Sequence, residues 1–290
     1  MKNKIKFFTI VIIMLLTLSG CASESNKSVM TAYTSVYPVE YIMDNLYGDN
    51  VAIYSIYPDG INYKNYKLTD KQLSDYSKGD LYIYSGIIQK EKDYAVNLIN
   101  KNKKIKIIDA SKGMSYTSGA AESWLNPANY LMMASNVKKG LEEYISENIE
   151  KKKIDDNYET LKLNLSLIDA ELKSVANNAN NKTIVVSDDV FKYLEKYGFT
   201  VISLEENENL TDKVISDVRK LISNKSISYI FIKDNEEENN TIKTLKNTYN
   251  IQTISLNSLA TLSASDRKDK KDYISIMMDN INSIKLEVNK

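Results

Sequence analysis

The sequence is poor in the residues that usually bind metals or carry out catalysis. No histidine occurs among its 290 residues, and the only cysteine is Cys21. Imidazole and thiolate groups are the usual nitrogen and sulfur ligands of transition metals, so any metal bound here must be held by oxygen alone. A single cysteine also excludes a disulfide within the chain. Without a histidine base, a nucleophile elbow or a glycine-rich phosphate loop, the sequence does not favour an enzyme.

Arginine is also scarce, although charge is not. The chain carries 38 basic and 38 acidic residues, and only Arg219 and Arg267 among the basic residues are arginines. A protein that binds nucleic acid usually has a net basic face rich in arginine. We therefore expect no nucleic-acid partner.

The N-terminal residues predict export and a lipid anchor. Lysines at positions 2, 4 and 6 precede an uncharged apolar run over residues 7–18. This run is too short to span a membrane and is typical of a signal peptide. It ends in Leu18-Ser19-Gly20-Cys21, which resembles a bacterial lipoprotein box and implies cleavage before Cys21 and a lipid on its thiol. We predict a signal peptide over residues 1–20, a lipidated tether over residues 21–28, and a location at the outer face of the cell membrane.

Short apolar runs alternate with segments of helical periodicity along the rest of the chain. This alternation predicts two α/β lobes with parallel sheets, each burying its own core, and a ligand cleft between them. Thr69 and Gln72 have the spacing of a capping box, which indicates a helix start. The predicted N-terminal lobe covers residues 29–150, with strands at 29–35, 51–56, 81–85 and 105–109. The predicted C-terminal lobe covers residues 182–290, with strands at 183–187, 200–204, 228–232 and 253–256, and a first helix at 189–196.

One long helix is predicted between the lobes, within residues 151–181. Leu161, Leu165, Ile168 and Leu172 are spaced four, three and four residues apart, which gives one apolar stripe along a helix. Leu163 and Leu167 are expected to widen this stripe. A rigid helix that joins two lobes implies limited hinge bending.

The sequence resembles a known family, the extracytoplasmic solute-binding lipoproteins of zinc and manganese ABC importers, which include adhesin-type receptors. Six segments carry the resemblance in family order and at family-like spacing. These segments are residues 34–49, Tyr57-Pro58-Asp59-Gly60 with Tyr66 and Thr69, residues 80–86, Trp124-Leu125-Asn126-Pro127, residues 189–199, and residues 254–259. The resemblance implies the two-lobed fold, an ABC permease and ATPase as partners, and a zinc or manganese cargo.

The resemblance also implies where the ligand lies. In the family, four side chains converge between the lobes, two from each lobe. Matched residue by residue, these positions are Lys64, Glu122, Asp188 and Asn257. Expected neighbours in the cleft are Tyr63, Tyr66, Trp124 and Asp234. None of the four matched positions keeps a zinc-type ligand.

Three kinds of chemistry remain open for these positions. The ammonium of Lys64 could bridge Glu122 and Asp188 in place of a metal, because a cation relieves the repulsion between two buried carboxylates. Alternatively, Glu122, Asp188 and Asn257 could bind a hard divalent cation through oxygen. A small zwitterion or a metal–chelator complex could also occupy a pocket with aromatic walls.

The sequence thus predicts a monomeric, membrane-anchored receptor that captures a solute between its lobes and delivers it to a permease. The alternative is a family member that has lost metal binding and either takes another small ligand or acts as a surface adhesin.

Overall fold

The computed structural model describes residues 29–115 and 122–290 and contains two α/β lobes. The N-terminal lobe consists of β1 (Met30–Thr34), α1 (Tyr37–Tyr47), β2 (Val51–Ser55), α2 (Asp70–Tyr76), β3 (Leu81–Tyr84), α3 (Gln89–Lys101), β4 (Lys106–Asp109) and α4 (Pro127–Tyr144). The C-terminal lobe consists of β5 (Thr183–Val186), a 3-10 helix (Asp189–Tyr197), β6 (Thr200–Ser203), α6 (Asp212–Ser223), β7 (Tyr229–Lys233), α7 (Asn240–Tyr249), β8 (Gln252–Leu256), α8 (Ala264–Lys268) and α9 (Tyr273–Val288). Between the lobes runs α5 (Asn148–Asn178). Cys21 and the predicted signal peptide lie outside the described residues.

Both sheets are parallel throughout and share one topology. The strand orders are β2-β1-β3-β4 and β6-β5-β7-β8. In each sheet the second strand lies on one side of the first, and the third and fourth strands lie on its other side. The strand order therefore reverses at the first strand of each sheet. Ligands of open α/β sheets bind at such points, at the carboxyl ends of the strands. The prediction of two parallel-sheet lobes is confirmed.

The long helix α5 lies against both lobes through the predicted apolar stripe. Leu161, Leu165 and Ile168 are each 1% exposed, whereas Leu163 and Leu167 are each 61% exposed. The expectation that the last two widen the stripe is wrong. Each follows a buried leucine by two residues, which is about 200° around a helix and directs the side chain to solvent.

The first helix of the C-terminal lobe differs from the prediction. Residues Asp189–Tyr197 form a 3-10 helix, which ends at Gly198 with φ +97°. A 3-10 helix repeats every three residues, so Phe191, Leu194 and Tyr197 form a single buried row. This spacing of apolar residues suits the tighter helix.

The hydrophobic core is not divided between the lobes as expected. Alternate residues of a strand point to opposite faces of its sheet. Val186 and Phe231 therefore join a large core continuous with the N-terminal lobe, while Val185 and Ile230 belong to a smaller core on the other face. The inner face of the second sheet thus packs on the same core as the first lobe. Within the described residues, no helix combines the length and hydropathy needed to cross a membrane.

A capping box explains where α2 begins. Thr69 Oγ1 accepts a hydrogen bond from the Gln72 amide, and Gln72 Oε1 accepts one from the Thr69 amide. The predicted capping box of α2 is therefore confirmed. Its position sets the end of the loop, residues 56–69, that carries Tyr63 and Lys64 to the other lobe.

A charged site between the lobes

Four charged side chains meet where the two lobes face each other. Lys233 is the last residue of β7, and Glu236 lies in the turn that follows. Asp188 comes two residues after β5, so it reaches the same carboxyl edge of the sheet. Glu122 belongs to the N-terminal lobe and directly precedes a 3-10 turn over Ser123–Leu125. The site is thus completed by both lobes.

The ammonium of Lys233 lies at the centre of this site. Its Nζ is 2.8 Å from Glu122 Oε1, 3.2 Å from Asp188 Oδ2 and 3.0 Å from Glu236 Oε1. An ammonium group has three N–H donors, and here three carboxylate oxygens lie within hydrogen-bond distance of it. The contact with Asp188 also has the geometry of a hydrogen bond, so Lys233 is in contact with three carboxylates at once.

Burial makes this pairing necessary. The side chain of Lys233 is 3% exposed and that of Glu122 is 0% exposed. Burial by itself lowers the pKa of Lys233, but the neighbouring carboxylates of Glu122 and Asp188 outweigh it and raise the pKa overall. Burial raises the pKa of Glu122 to about 7 even though Lys233 acts in the opposite direction. A buried charge without its partner is strongly unfavourable, so each group depends on the other.

Glu122 is held in an unusual backbone conformation. Its φ is +62°, in the left-handed region that non-glycine residues seldom adopt. Tyr63 donates a hydrogen bond from its hydroxyl to Glu122 Oε1 at 3.0 Å. Within the described ranges, Oε2 of the same carboxylate has no hydrogen-bond partner. Strained backbone of this kind concentrates at functional sites, where the surrounding structure holds it in place.

Lys64 lies at the rim of the site rather than at its centre. Its ammonium pairs with Glu236 Oε1 at 3.1 Å, and its side chain is 43% exposed. The prediction that Lys64 bridges Glu122 and Asp188 is therefore wrong. A lysine does bridge those carboxylates, but it is Lys233, from the opposite lobe.

The turn that carries Lys64 explains its position. Lys90, on α3, donates hydrogen bonds to the backbone carbonyls of Tyr63, Lys64 and Tyr66. Fixed in this way, the turn directs the Tyr63 side chain toward Glu122 and leaves Lys64 at the rim. Tyr66 is directed elsewhere too, because its hydroxyl accepts a hydrogen bond from Gln72 Nε2 at 2.9 Å.

Asn257 does not join the site either. Its Oδ1 accepts a hydrogen bond from the Leu259 amide at 2.7 Å, which closes a local turn. Asparagine side chains commonly make such bonds to the backbone two residues on. Asn280 holds the backbone of Asn257 through a pair of hydrogen bonds to its amide and its carbonyl. The prediction of Asn257 as a cleft ligand is wrong, because its amide is committed to this turn.

Of the other two predicted neighbours, Trp124 fastens the lobes together, and Asp234 holds the segment that follows β8 within its own lobe. Trp124 is fully buried, and its indole Nε1 donates to the Ser258 carbonyl at 2.9 Å. The Trp124 carbonyl in turn accepts a hydrogen bond from the Tyr273 hydroxyl at 2.6 Å. Asp234 Oδ1 accepts from the Ser258 amide at 2.7 Å. Trp124 thus holds the segment that follows β8 against the N-terminal lobe.

Two cavities adjoin Lys233. The inner one is about 10 Å³, with both Glu122 and Asp234 in its wall, and has room for about one water molecule. The outer one is about 180 Å³ and opens beside Lys64. Its wall consists mainly of carboxylates, namely those of Asp188, Glu205, Glu206, Glu236, Glu237 and Glu238.

The residues present do not fit a metal ion at this position. No group of three histidine, cysteine, aspartate or glutamate side chains in the described part of the chain is arranged to hold one. Glu122 and Asp188 do approach each other, as the resemblance implies, but Lys233 Nζ lies between them. A divalent cation would have to displace that ammonium.

Lys233 and Glu236 were not among the residues predicted for the site. The sequence does contain a signal for Lys233, since it ends the otherwise uncharged strand Tyr-Ile-Phe-Ile-Lys. A charged residue at the carboxyl end of a buried parallel strand lies where ligands bind. No comparable signal distinguishes Glu236 from the glutamates next to it.

Comparison with known proteins gives the family. The model of the zinc-uptake complex component A family, described as periplasmic, matches residues 33–286. This chain belongs to that family. The predicted family resemblance is thereby confirmed, and the members to which the chain is similar are solute-binding receptors of metal ABC transporters.

Named relatives agree with this assignment. The metal ABC transporter substrate-binding lipoprotein SsaB of Streptococcus sanguinis is 27% identical over 262 residues, which cover 81% of this chain and 84% of SsaB. The manganese ABC transporter substrate-binding lipoprotein PsaA of Streptococcus pneumoniae is 29% identical over 197 residues, 62% of this chain and 63% of PsaA. The family is therefore extracytoplasmic and serves metal import.

Solved structures share the fold. The metal-dependent lipoprotein YcdH of Bacillus subtilis superposes with a TM-score of 0.75 at 18% identity and covers 90% of this chain and 100% of its own. The laminin-binding protein Lmb of Streptococcus agalactiae, described as having adhesin and metal-transporting activity, gives a TM-score of 0.73 at 15% identity, with coverage of 89% and 99%. Both have the same two-lobed architecture.

Proposed function

We propose that this chain is the receptor component of a metal-type ABC importer, attached to the outer face of the membrane by a lipid on Cys21. Family membership supports the receptor role, and the Leu18-Ser19-Gly20-Cys21 sequence supports the anchor. Residues 22–28 are small and polar, as suits a flexible tether between lipid and fold. The chain acts as a monomer, since one chain supplies both lobes of the site, and it catalyses no reaction.

The observation that carries this proposal is that carboxylates from both lobes meet at one buried position. Glu122 comes from the first lobe, and Asp188 and Glu236 come from the second. A site completed by two lobes couples its own occupancy to their relative orientation. A permease that touches both lobes can recognise that orientation, because closure sets the distance between their outer surfaces. The permease and its ATPase are therefore the expected partners.

The anchor is tested by growing cells with a labelled fatty acid. The full chain should carry the label and remain in the membrane fraction, while Cys21→Ser should carry none and be released. Label that persists in the Cys21→Ser variant would exclude lipid on this thiol.

The receptor role is tested with the permease and ATPase of a metal-type importer from the same cell, reconstituted in vesicles. The soluble Cys21→Ser protein, added in excess, should raise the ATPase rate, which separates docking from anchoring. An unchanged rate would overturn the receptor role. Adhesion of the same protein to laminin together with an unchanged rate would favour the adhesin alternative.

A further inference from the structure

We propose that Lys233 is a built-in substitute for the cargo cation, so that the lobes close without a metal and the interlobe site rejects zinc and manganese. This inference rests on the proposed function only in taking the interlobe position as the receptor's cargo site. It concerns Lys233 and Glu236, which the sequence comparison with the family does not single out.

Three carboxylates surround the Lys233 ammonium. Three carboxylate oxygens lie 2.8 to 3.2 Å from its Nζ, which matches the three donors of an ammonium group. The oxygen of Glu122 also accepts the Tyr63 hydroxyl at 3.0 Å. The carboxylates are thus oriented toward a position that Nζ already fills.

The backbone of Lys233 is held firmly in the second sheet. Its backbone is paired with Leu256 in the sheet, and its amide donates to Ser187 Oγ at 2.8 Å. The root of this side chain is therefore fixed at the end of β7, and the side chain itself is only 3% exposed. Lys64 differs in this respect, because it lies on an exposed turn and its side chain is 43% exposed.

The contacts of Lys233 also join the two lobes. Asp188 and Glu236 belong to the same lobe as Lys233, but Glu122 belongs to the other lobe, so the ammonium joins the two. The Lys64–Glu236 pair also crosses between lobes. A bound metal would provide this link only at sufficient concentration, whereas a lysine of the same chain provides it at all times.

Further crossing contacts hold the closed arrangement without any charge. The Tyr37 amide donates to the Ala260 carbonyl at 3.0 Å, and the Gly60 amide donates to the Leu262 carbonyl at 2.7 Å. Together with the Trp124–Ser258 hydrogen bond, these contacts join both lobes along the segment after β8. Closure is thus a property of the folded chain.

The experiment compares the mature wild-type protein with Lys233→Met and Lys64→Met, each stripped with chelator and then exposed to zinc or manganese. Bound metal is measured by elemental analysis and Tm by calorimetry. Wild type should bind no stoichiometric metal and show no change in Tm. Lys233→Met should melt roughly 10 °C lower without metal, because the buried carboxylates of Glu122 and Asp188 lose their counter-charge. With the ammonium gone, the three carboxylates should draw together around one metal ion, and the variant should regain roughly 5–10 °C at about 100 times the Kd.

Lys64→Met is the matched control, since it removes a lysine of the same cluster from an exposed position. It should behave as wild type in metal content and change Tm by only about 2 °C or less. If Lys64→Met rather than Lys233→Met uncovers the metal site, the assignment of the internal cation to Lys233 is wrong.

A second variant covers the case in which Lys233→Met does not fold. Adding Glu122→Gln removes the most deeply buried unpaired carboxylate, so the double variant should recover most of the lost Tm and still bind no metal with high affinity. A double variant as unstable as the single one would show that packing, not charge, explains the loss. One equivalent of zinc or manganese in the wild type would overturn the inference and leave ATPase stimulation, the test of the receptor role, unaffected.

Discussion

Glu91 provides a quantitative test of how the N-terminal lobe holds a buried charge. This glutamate is fully buried at the start of α3. Its Oε2 accepts hydrogen bonds from the Ser85 amide at 3.0 Å and the Ser85 hydroxyl at 2.5 Å. In the described part of the chain its Oε1 has no hydrogen-bond partner and its carboxylate forms no salt bridge. Burial raises its pKa from 4.5 to about 7, although hydrogen bonds from Ser85 and Ser35 act in the opposite direction.

The magnitude follows from the difference between these two pKa values. The folded protein holds the Glu91 proton more tightly than the unfolded chain, so the contribution to stability is fully present below about pH 4.5. This contribution is lost as the pH rises through about 7, and the free energy of unfolding changes no further through Glu91 above that value. At about 1.4 kcal/mol per pH unit, the loss is about 3 kcal/mol.

The perturbation is Glu91→Gln, which keeps the shape of the side chain and cannot ionise. The free energy of unfolding is measured by urea titration from acid to mildly alkaline pH for wild type and variant. The variant should gain about 3 kcal/mol relative to wild type as the pH rises from about 4.5 to about 7.5. Any pH-independent effect of the amide on the free energy of unfolding cancels, because only the change of that free energy with pH is compared.

Glu195→Gln, on the exposed side of the 3-10 helix, is the control and should give a curve parallel to that of wild type. Parallel curves for Glu91→Gln as well would refute the reasoning. They would mean that the Glu91 carboxylate is solvated or paired in solution, and that its burial carries no cost.

Two further predictions concern the backbone and the contact between lobes. Gly86→Ala should destabilise more than Gly60→Ala by about 2 kcal/mol or more in urea unfolding, since both have positive φ but only at Gly86 would a Cβ lie 1.9 Å from Asp109 Oδ1. Equal losses would show that Asp109 moves aside without cost. Arg267→Lys should lose about 1 kcal/mol at low salt and less at high salt, because the bidentate pair of Arg267 with Glu40 joins the lobes and lysine cannot reproduce it. A loss independent of salt would point to packing rather than charge.

Much of the architecture could be predicted from local patterns. The alternation of apolar strands with helical segments indicates parallel α/β lobes, and the stripe through Leu161 and Leu165 indicates a long helix. These features depend on which face of a strand or helix is apolar. Residues close together in sequence decide that face. The division of the core could not be predicted in this way. The inner face of the second sheet is as apolar as the outer, so the sequence does not show that it packs on the other lobe.

The site shows most clearly what local sequence patterns predict and what depends on contacts between the lobes. The residues alone show that no imidazole ligand is present and that Glu122 and Asp188 match family ligand positions. Which lysine lies between these carboxylates follows only from the folded chain, because Lys233 and Glu122 are 111 residues apart and on different lobes. Contacts of this kind depend on how two loops at strand ends are oriented across a cleft. Local hydrogen bonds, such as those that hold the Lys64 turn, decide that orientation, and neither composition nor spacing encodes it.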